Sequence, residues 1–328
     1  MIIRSDSYIS TPLVACGIIV YNQKQFIGQT IEGMLCQQCD FSFNIVVADD
    51  CSTDGTQDVL RNYQATYPDK IKLVLNEQNS GIAANWVSCC YAMEGGEFVS
   101  FCDGDDYWSN HSKLQLQVDY LRQHPRCVAV SSDYDTMDED GSNYQANCRK
   151  NNPPVIGHVQ KVLWSEVGAH NAWCTFMFSK KVLDMHIPFD AFVRFPFQDW
   201  PALVCMAGYG EFGYIPISTC VVRRVRGSDS RAVDIHRLEQ RQRKVRDMNK
   251  YLASLFPTLK QDDDDTFDKY IASTMVGVCI TNNEYRLAKQ YARQSGNLSF
   301  RNICCQTWFT FQLFRLFKRL KYKLSITL

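Results

Sequence analysis

The sequence predicts an α/β protein built on a doubly wound, mostly parallel sheet, and three observations carry that prediction. Apolar runs of strand length alternate four times with helix-compatible segments between residues 13 and 102. Two of these runs stop at clustered carboxylates, Asp49-Asp50 and Asp103-Gly104-Asp105-Asp106, and the carboxyl ends of parallel strands are where α/β sheets bind their ligands. A chain of 328 residues that is 45% hydrophobic also carries enough apolar side chain for a substantial core.

Each element follows from its residues. Leu13 to Val20 is a continuous apolar run, closed by Tyr21-Asn22 and followed by a helical segment from Phe26 to Cys36. Phe43 to Ala48 is the second buried strand; Ser52-Thr53-Asp54-Gly55-Thr56 then supplies turn and capping chemistry for a helix from Gln57 to Tyr67. Ile71 to Leu75 is the third strand, Asn79-Ser80-Gly81 turns into a helix through Ala92, and Glu97 to Cys102 is the fourth strand. Lys113 to His124 reads as an amphipathic helix and Cys127 to Tyr134 as a strand, with a hairpin turn at Asp140-Gly141. Beyond these, Phe176 to Leu183, Phe197 to Met206 and Phe212 to Val222 suggest a smaller α+β half stacked on the first.

From Asp234 the chain is helical and strongly charged, and the run Asp262 to Asp265 reads as a solvated loop or helix start. Phe300 to Leu324 mixes Trp308, Phe309, Phe311, Leu313, Phe314, Leu316 and Phe317 with Arg315, Lys318, Arg319, Lys321 and Lys323. That pattern suits a helix lying in a lipid interface, and it suits equally a docked helix with a basic outer face.

Composition narrows the function. Thirty-five basic residues balance thirty-five acidic ones, so no overall field draws the chain to nucleic acid. Met1 to Pro12 lacks a basic segment followed by an apolar stretch, and no apolar run reaches membrane-spanning length. Fifteen scattered cysteines then fit a reducing compartment, where thiols in apolar runs act as small hydrophobes. Cys36 and Cys39 form one Cys-x-x-Cys with no partner pair at zinc spacing. His158, His170 and His186 show no mutual metal-binding spacing and read as ordinary surface or core residues.

The acidic strand end carries the chemistry. Asp103, Asp105 and Asp106 repel one another unless a cation sits between them, and oxygen donors favour Mg²⁺ or Mn²⁺. A polar turn is the competing reading, since Asp-Gly is a common turn pair.

Four fragments occur in order: Val20-Tyr21-Asn22, Ala48-Asp49-Asp50-Cys51-Ser52-Thr53-Asp54-Gly55-Thr56, Asn79-Ser80-Gly81-Ile82-Ala83 and Cys102-Asp103-Gly104-Asp105-Asp106-Tyr107-Trp108. In this order the chain resembles the family 2 glycosyltransferases, inverting enzymes of the GT-A fold that use nucleotide-diphosphate sugars. The match spans residues 11 to about 231. The resemblance implies a nucleotide-sugar-binding half over 1–110, an acceptor-binding and catalytic half over 111–233 and a helical extension over 234–328. It assigns Asp50, supported by Asp49, to the nucleotide base, with Tyr21, Asn22, Asn79 and Gly81 lining the same pocket, while Ser52 and Asp54 read mainly as helix caps.

By the same resemblance Asp105 binds Mn²⁺ or Mg²⁺ directly, Asp103 faces the ribose or the metal's water shell, Asp106 is structural and Trp108 packs beneath the site. Asp199, in Phe197-Gln198-Asp199-Trp200, aligns with the family's general base, and burial near Phe197 and Trp200 is expected to raise its pKa. Gln198 stands where relatives more often have Glu. Arg223, Arg224, Arg226 and Ser228 resemble the loop that closes over the diphosphate, with Val225 where many relatives carry a His.

The function expected is transfer of a sugar, with UDP as the default nucleotide, to a glycan or lipid-linked acceptor in surface polysaccharide or glycolipid synthesis. The setting expected is cytoplasmic, peripheral at the inner membrane face through residues 300–324. Two alternatives remain open. A sugar nucleotidyltransferase usually begins with a Gly-rich basic loop, absent after Val20, and a catalytically silent nucleotide-sugar-binding module is expected to lose Asp105 or Asp199.

Overall fold

The computed structural model describes residues 1–165, 171–225, 235–259, 264–296 and 299–326. The chain divides into two compact units, Met1–Arg226 and Gly227–Leu328.

The first unit opens with β1 (Ile2–Ile3), β2 (Val14–Val20), α1 (Ile27–Leu35), β3 (Phe43–Asp49), α2 (Thr56–Thr66), β4 (Ile71–Leu75), α3 (Ile82–Ala92) and β5 (Phe98–Asp103). Strands β4, β3, β2 and β5 lie side by side and parallel, with β1 added antiparallel to β4. All seven residues of β2 and of β3 are buried, which explains why their sequences are largely apolar rather than alternating, with Asn44 and Asp49 the polar positions of β3. Helices cover both faces. Ile27, Ile31 and Met34 of α1 and Leu60 of α2 join the core on one face, while Trp86 of α3 packs on Phe101 of β5 from the other. At Gly17 of β2 an added Cβ would stand 2.4 Å from Met93 Cε, so the layer beside α3 approaches the sheet too closely for any side chain there.

The remaining strands correct the expectation of a second half stacked on the first. They extend the same sheet. After β6 (Tyr107–Trp108), α4 (Lys113–Gln123), β7 (Cys127–Asp138) and α5 (Gln160–Ser165) come β8 (Met177–Ser179), α6 (Lys180–His186), α7 (Phe189–Phe192), α8 (Asp199–Ala207) and β9 (Glu211–Arg224). The order across the sheet is β1-β4-β3-β2-β5-β8-β7-β9-β6. The run from Phe176 to Leu183 splits into a three-residue strand and the start of α6, and β7 continues four residues past Tyr134 before turning near Gly141. Leu114, Val118 and Leu121 of α4 complete the core that α1 and α2 begin.

The second unit is helical, with α9 (Ile235–Leu255), α10 (Asp264–Asn282), α11 (Tyr285–Gln294), α12 (Phe300–Cys304) and α13 (Trp308–Ile326). Met275, Val276, Cys279 and Ile280 of α10 form its core with Ala288 of α11 and Phe311 of α13. Of the Asp run, Asp264 and Asp265 open α10 and the rest lies outside the described residues. Helix α13 docks through Phe311, which meets Tyr285 at 5.4 Å, and through Phe314. Its other stripe is open: Trp308, Phe309, Leu313, Leu316 and Phe317 are 51–65% exposed. Among the described residues no helix is long and apolar enough to cross a membrane, and all fifteen cysteines are free thiols.

Candidate active site

Three parallel strand ends converge on one place. In register, Val20 of β2 pairs with Asp49 of β3, and Ile19 pairs with Asp103 of β5. The chain leaves each strand while still bonded to its neighbour, Asp50 N–H to Val20 O and Gly104 N–H to Ile19 O, both 3.0 Å. The segments 21–23, 50–54 and 104–106 are thereby brought together at the carboxyl edge of the sheet.

The Tyr21-Asn22 turn is locked to the loop after β3. Asn22 N–H donates to Ser52 Oγ and Thr53 N–H donates to Asn22 Oδ1, each at 2.8 Å. Asn22 takes a left-handed φ of 52°, and Tyr21 is 45% exposed beside it. This corrects the reading of Ser52 as a helix cap, because its hydroxyl receives Asn22 instead. Asp54 does meet the first turn of α2, accepting from Thr56 N–H and Oγ–H and also from Lys24 N–H, while Gly55 takes the cap position at φ 93°.

Asp50 organises the neighbouring loop. Its Oδ1 accepts from Asn76 Nδ2, Ser80 N–H and Ser80 Oγ–H, and its Oδ2 accepts from Gly81 N–H at 2.8 Å. Asn79 and Gly81 are therefore held against β3, with Asn79 exposed. Asp49 is fully buried, bonded to Ser52 N–H and Gln57 Nε2 through Oδ2.

The acidic turn after β5 is gripped from below. The Thr30 hydroxyl of α1 lies 2.6 Å from Asp106 O and 3.0 Å from Gly104 O. Asp106 is 7% exposed and accepts Arg223 N–H from β9 at 2.9 Å. Trp108 is 1% exposed, with the buried Lys113 ammonium over its ring. A side chain at Gly104 would force its neighbours to shift, since a Cβ there would stand 2.4 Å from Gln23 Oε1 and 2.9 Å from Val20 Cγ2.

Asp103 and Asp105 remain at the mouth, each half-buried. Asp103 Oδ1 is sealed from solvent without a hydrogen-bond partner. Burial first, then the Asp105 charge, then the Asp199 charge push the Asp103 carboxyl up to about 8. Burial also raises Asp105, and burial with its two acidic neighbours raises Asp106. Such a set, crowded and with an orphaned oxygen, fits a divalent cation that would neutralise it. Among the described residues no three metal-type side chains stand in ligand geometry, so any ion here draws on one or two carboxylates and on oxygens of a bound ligand.

Asp199 is the first residue of α8 and half-buried. Its charge is the third cause that raises Asp103, after burial and Asp105. Trp200 turns into the core, donating Nε1–H to Leu163 O at 2.7 Å and stacking on Trp164. Gln198 is 2% exposed with Oε1 unpartnered.

Arg223, assigned by the resemblance to the loop over the diphosphate, lies beside the acidic turn. It is 8% exposed and donates to Asp105 O and to Gln29 Oε1, with its guanidinium over Phe26 and Tyr107. In this structure it braces the acidic turn. Arg224 bonds Asp138 Oδ1 and Thr136 Oγ1. Arg226 and Ser228 lie outside the described residues, as does His170. His158 sits 3.5 Å from Glu211, and His186 stacks on Tyr209. Sequence reasoning missed Gln23, whose side chain lowers the Asp105 carboxyl, and Gln29, which accepts from Arg223; each is an uncharged residue in the segment after β2, and no local pattern marks it.

The family model for glycosyl transferase family 2 matches residues 16–186. The teichuronic acid biosynthesis glycosyltransferase TuaG of Bacillus subtilis, itself described as putative, is 34% identical over 133 residues, 40% of this chain and 50% of that protein. The chain spans about half the length or less of such curated relatives, down to 36% for an uncharacterized mycobacterial protein. Among solved structures, TarS of S. aureus in complex with UDP-GlcNAc superposes with a TM-score of 0.56 at 16% identity, over 86% of this chain and 81% of that one. The mannosyltransferase PcManGT of Pyrobaculum calidifontis, in complex with GDP-Man and Mn²⁺, gives 0.52 at 18% identity, over 95% and 87%. These likenesses establish the GT-A fold.

Proposed function

Because this chain belongs to glycosyl transferase family 2, we propose that it is an inverting glycosyltransferase, moving a sugar from a nucleotide-diphosphate donor to an acceptor hydroxyl in surface polysaccharide, teichoic acid or glycolipid synthesis. The observation that carries this reading is the pair of half-buried carboxylates Asp103 and Asp105 at the tip of β5, with the Asp199 charge close enough to contribute to raising Asp103. The naming of TuaG for teichuronic acid synthesis and the nucleotide sugars bound to TarS and PcManGT support it. A UDP-sugar is the donor to try first.

In this reading Tyr21, Asn22, Asn79 and Gly81 line the nucleoside pocket. Asp50 shapes it by holding the 79–81 turn, and its Oδ2, with one bond to Gly81, keeps capacity for a ring N–H. Asp105 and Asp103 would hold the Mn²⁺ or Mg²⁺, which when bound supplies Lewis-acid stabilisation of the departing diphosphate. Arg223 keeps Asp105 in place, and Arg226 and Ser228 contribute to the diphosphate side. Asp199 takes the proton from the acceptor hydroxyl as its oxygen attacks the anomeric carbon opposite the leaving group, which inverts configuration.

A panel of nucleotide sugars with Mn²⁺ or Mg²⁺, followed by release of nucleoside diphosphate, tests the reading. One donor is expected to turn over. Absence of binding and turnover with every donor would transfer the weight to a silent module.

The exposed stripe of α13 supports membrane contact as part of the same proposal. Phe309, Leu313 and Phe317 face away from the helical core, and the flanking sequence is rich in Lys and Arg. Changing these three to Ser is expected to cut flotation with anionic vesicles by about tenfold or more while the far-UV spectrum is unchanged, since each buried apolar side chain is worth ~1.5–3 kcal/mol. Unchanged flotation would leave the stripe without a role in membrane binding.

A further inference from the structure

Beyond the candidate active site, the first unit holds a cavity of about 320 Å³, lined by Asp133, Asn147, Arg149, Lys150, Tyr214 and prolines 153 and 216. That volume falls within the range of small-molecule sites. The loop that forms its wall is clamped to the sheet by two β7 carboxylates. Asp135 accepts from Asn147 N–H, Tyr144 Oη–H and Ser218 Oγ–H, and Asp133, 2% exposed, accepts from Arg149 N–H at 2.8 Å and Tyr134 N–H at 2.7 Å. Arg149 Nε donates to Asn171, itself 1% exposed and bonded to Ser132 O. Asn147 holds a left-handed φ of 52° in this turn.

Two features point to a ligand. Lining cations outnumber lining carboxylates two to one, and the carboxylate, Asp133, already spends Oδ1 on two backbone N–H groups. The Tyr214 hydroxyl is buried without a hydrogen-bond partner, and burial pushes its phenol up to about 12, so it stays a donor at neutral pH. The lining thus brings together the Arg149 guanidinium, which also bonds Asn171, the exposed Lys150 ammonium and the phenol ring of Tyr214, with two prolines as flat walls.

Sheet geometry relates this cavity to the cleft. Phe178 of β8 pairs with both Val99 of β5 and Ala129 of β7, each antiparallel, so β5 and β7 run the same way and residues 103 and 133 stand near one level. Two strand spacings separate them, roughly 10 Å, with a bulge at Ser132 to Tyr134 shifting the register. The face agrees too. Cys102 and Ile215 belong to the core cluster beside α4, so their neighbours Asp103 and Tyr214 project to the opposite face.

We propose that this cavity is an acceptor subsite that binds an anionic oxygen group, a phosphate or a carboxylate, carried by the glycan a short distance from the attacking hydroxyl. The proposal rests on the glycosyltransferase reading for the word acceptor, but not for the anion. It is tested on the full chain with excess UDP and Mg²⁺ present, by titrating inorganic phosphate, glucuronate and, as the neutral control, glucose. Phosphate binding alone identifies a phosphate-bearing acceptor, and glucuronate binding alone identifies an acidic sugar. Lys150→Glu is expected to weaken the anion by about tenfold or more and Tyr214→Phe by about fivefold, with donor hydrolysis within about twofold of wild type in both. Failure of the wild type to prefer either anion over glucose, or anion binding untouched by Lys150→Glu, would overturn the subsite. If no nucleotide sugar turns over yet the Lys150-dependent binding persists, the enzyme reading fails and the anion site stands.

Discussion

Asp199→Asn is expected to lower the transfer rate by about three orders of magnitude while donor affinity stays within about twofold. The amide keeps the volume and the place at the first turn of α8 but cannot take a proton. The structural setting makes the contrast clean. Trp200 anchors the helix start through Leu163 O, so the substitution does not move the backbone, and Asp199 has no hydrogen bond to the nucleotide-side segments 21–23 or 50–54 among the described residues. Single-turnover transfer measured beside donor binding by calorimetry separates the two effects. Equal transfer by wild type and variant would remove Asp199 from the role of base.

The parts of this site that could be read from sequence are those where one strand writes its own signal. β2, β3, β4 and β5 lie within a residue or two of their apolar runs, because strands buried on both faces are apolar at most positions, with Asn44, Lys72 and Ser100 as buried polar exceptions. The carboxylates that close β3 and β5 are equally visible. What stayed hidden depends on contacts distant in sequence. β6 and β8 have two and three residues, too short to show a period, and their pairing with β9 and β5 turns an expected second layer into one continuous sheet. Arg223 reads as a phosphate cation until the fold brings Asp105 O, Gln29, Phe26 and Tyr107 around it. Ser52 has the composition of a cap, yet Asn22 lies thirty residues away and claims it. The clamp by Asp133 and Asp135 likewise joins loop and strand residues 9 to 83 positions apart, beyond any motif.

Asp105→Asn separates function from folding in the opposite sense. The variant is expected to lose the metal-dependent part of donor binding and about three orders of magnitude of transfer, ~4 kcal/mol of transition-state stabilisation. Without donor or metal it is expected to melt at the same temperature as wild type or a degree or two higher, to about the extent that ~0.5 kcal/mol allows. The reason is the crowding at the tip of β5. Asp105 is second only to burial in raising Asp103 and Asp106, so removing its charge relieves its neighbours, while Arg223 still bonds the Asp105 backbone carbonyl and keeps the turn in place. A site that crowds half-buried carboxylates in the free protein is unfavourable for stability, and a bound cation would offset that cost. Thermal melts supply the check. At a donor concentration a hundredfold above Kd, wild type should gain ~2.7 kcal/mol, about 5 °C or more, and that gain should depend on Mn²⁺ or Mg²⁺. In Asp105→Asn the metal-dependent part should vanish. A variant that keeps it, or one that is strongly destabilised when empty, would mean that Asp105 supports the fold rather than the ion.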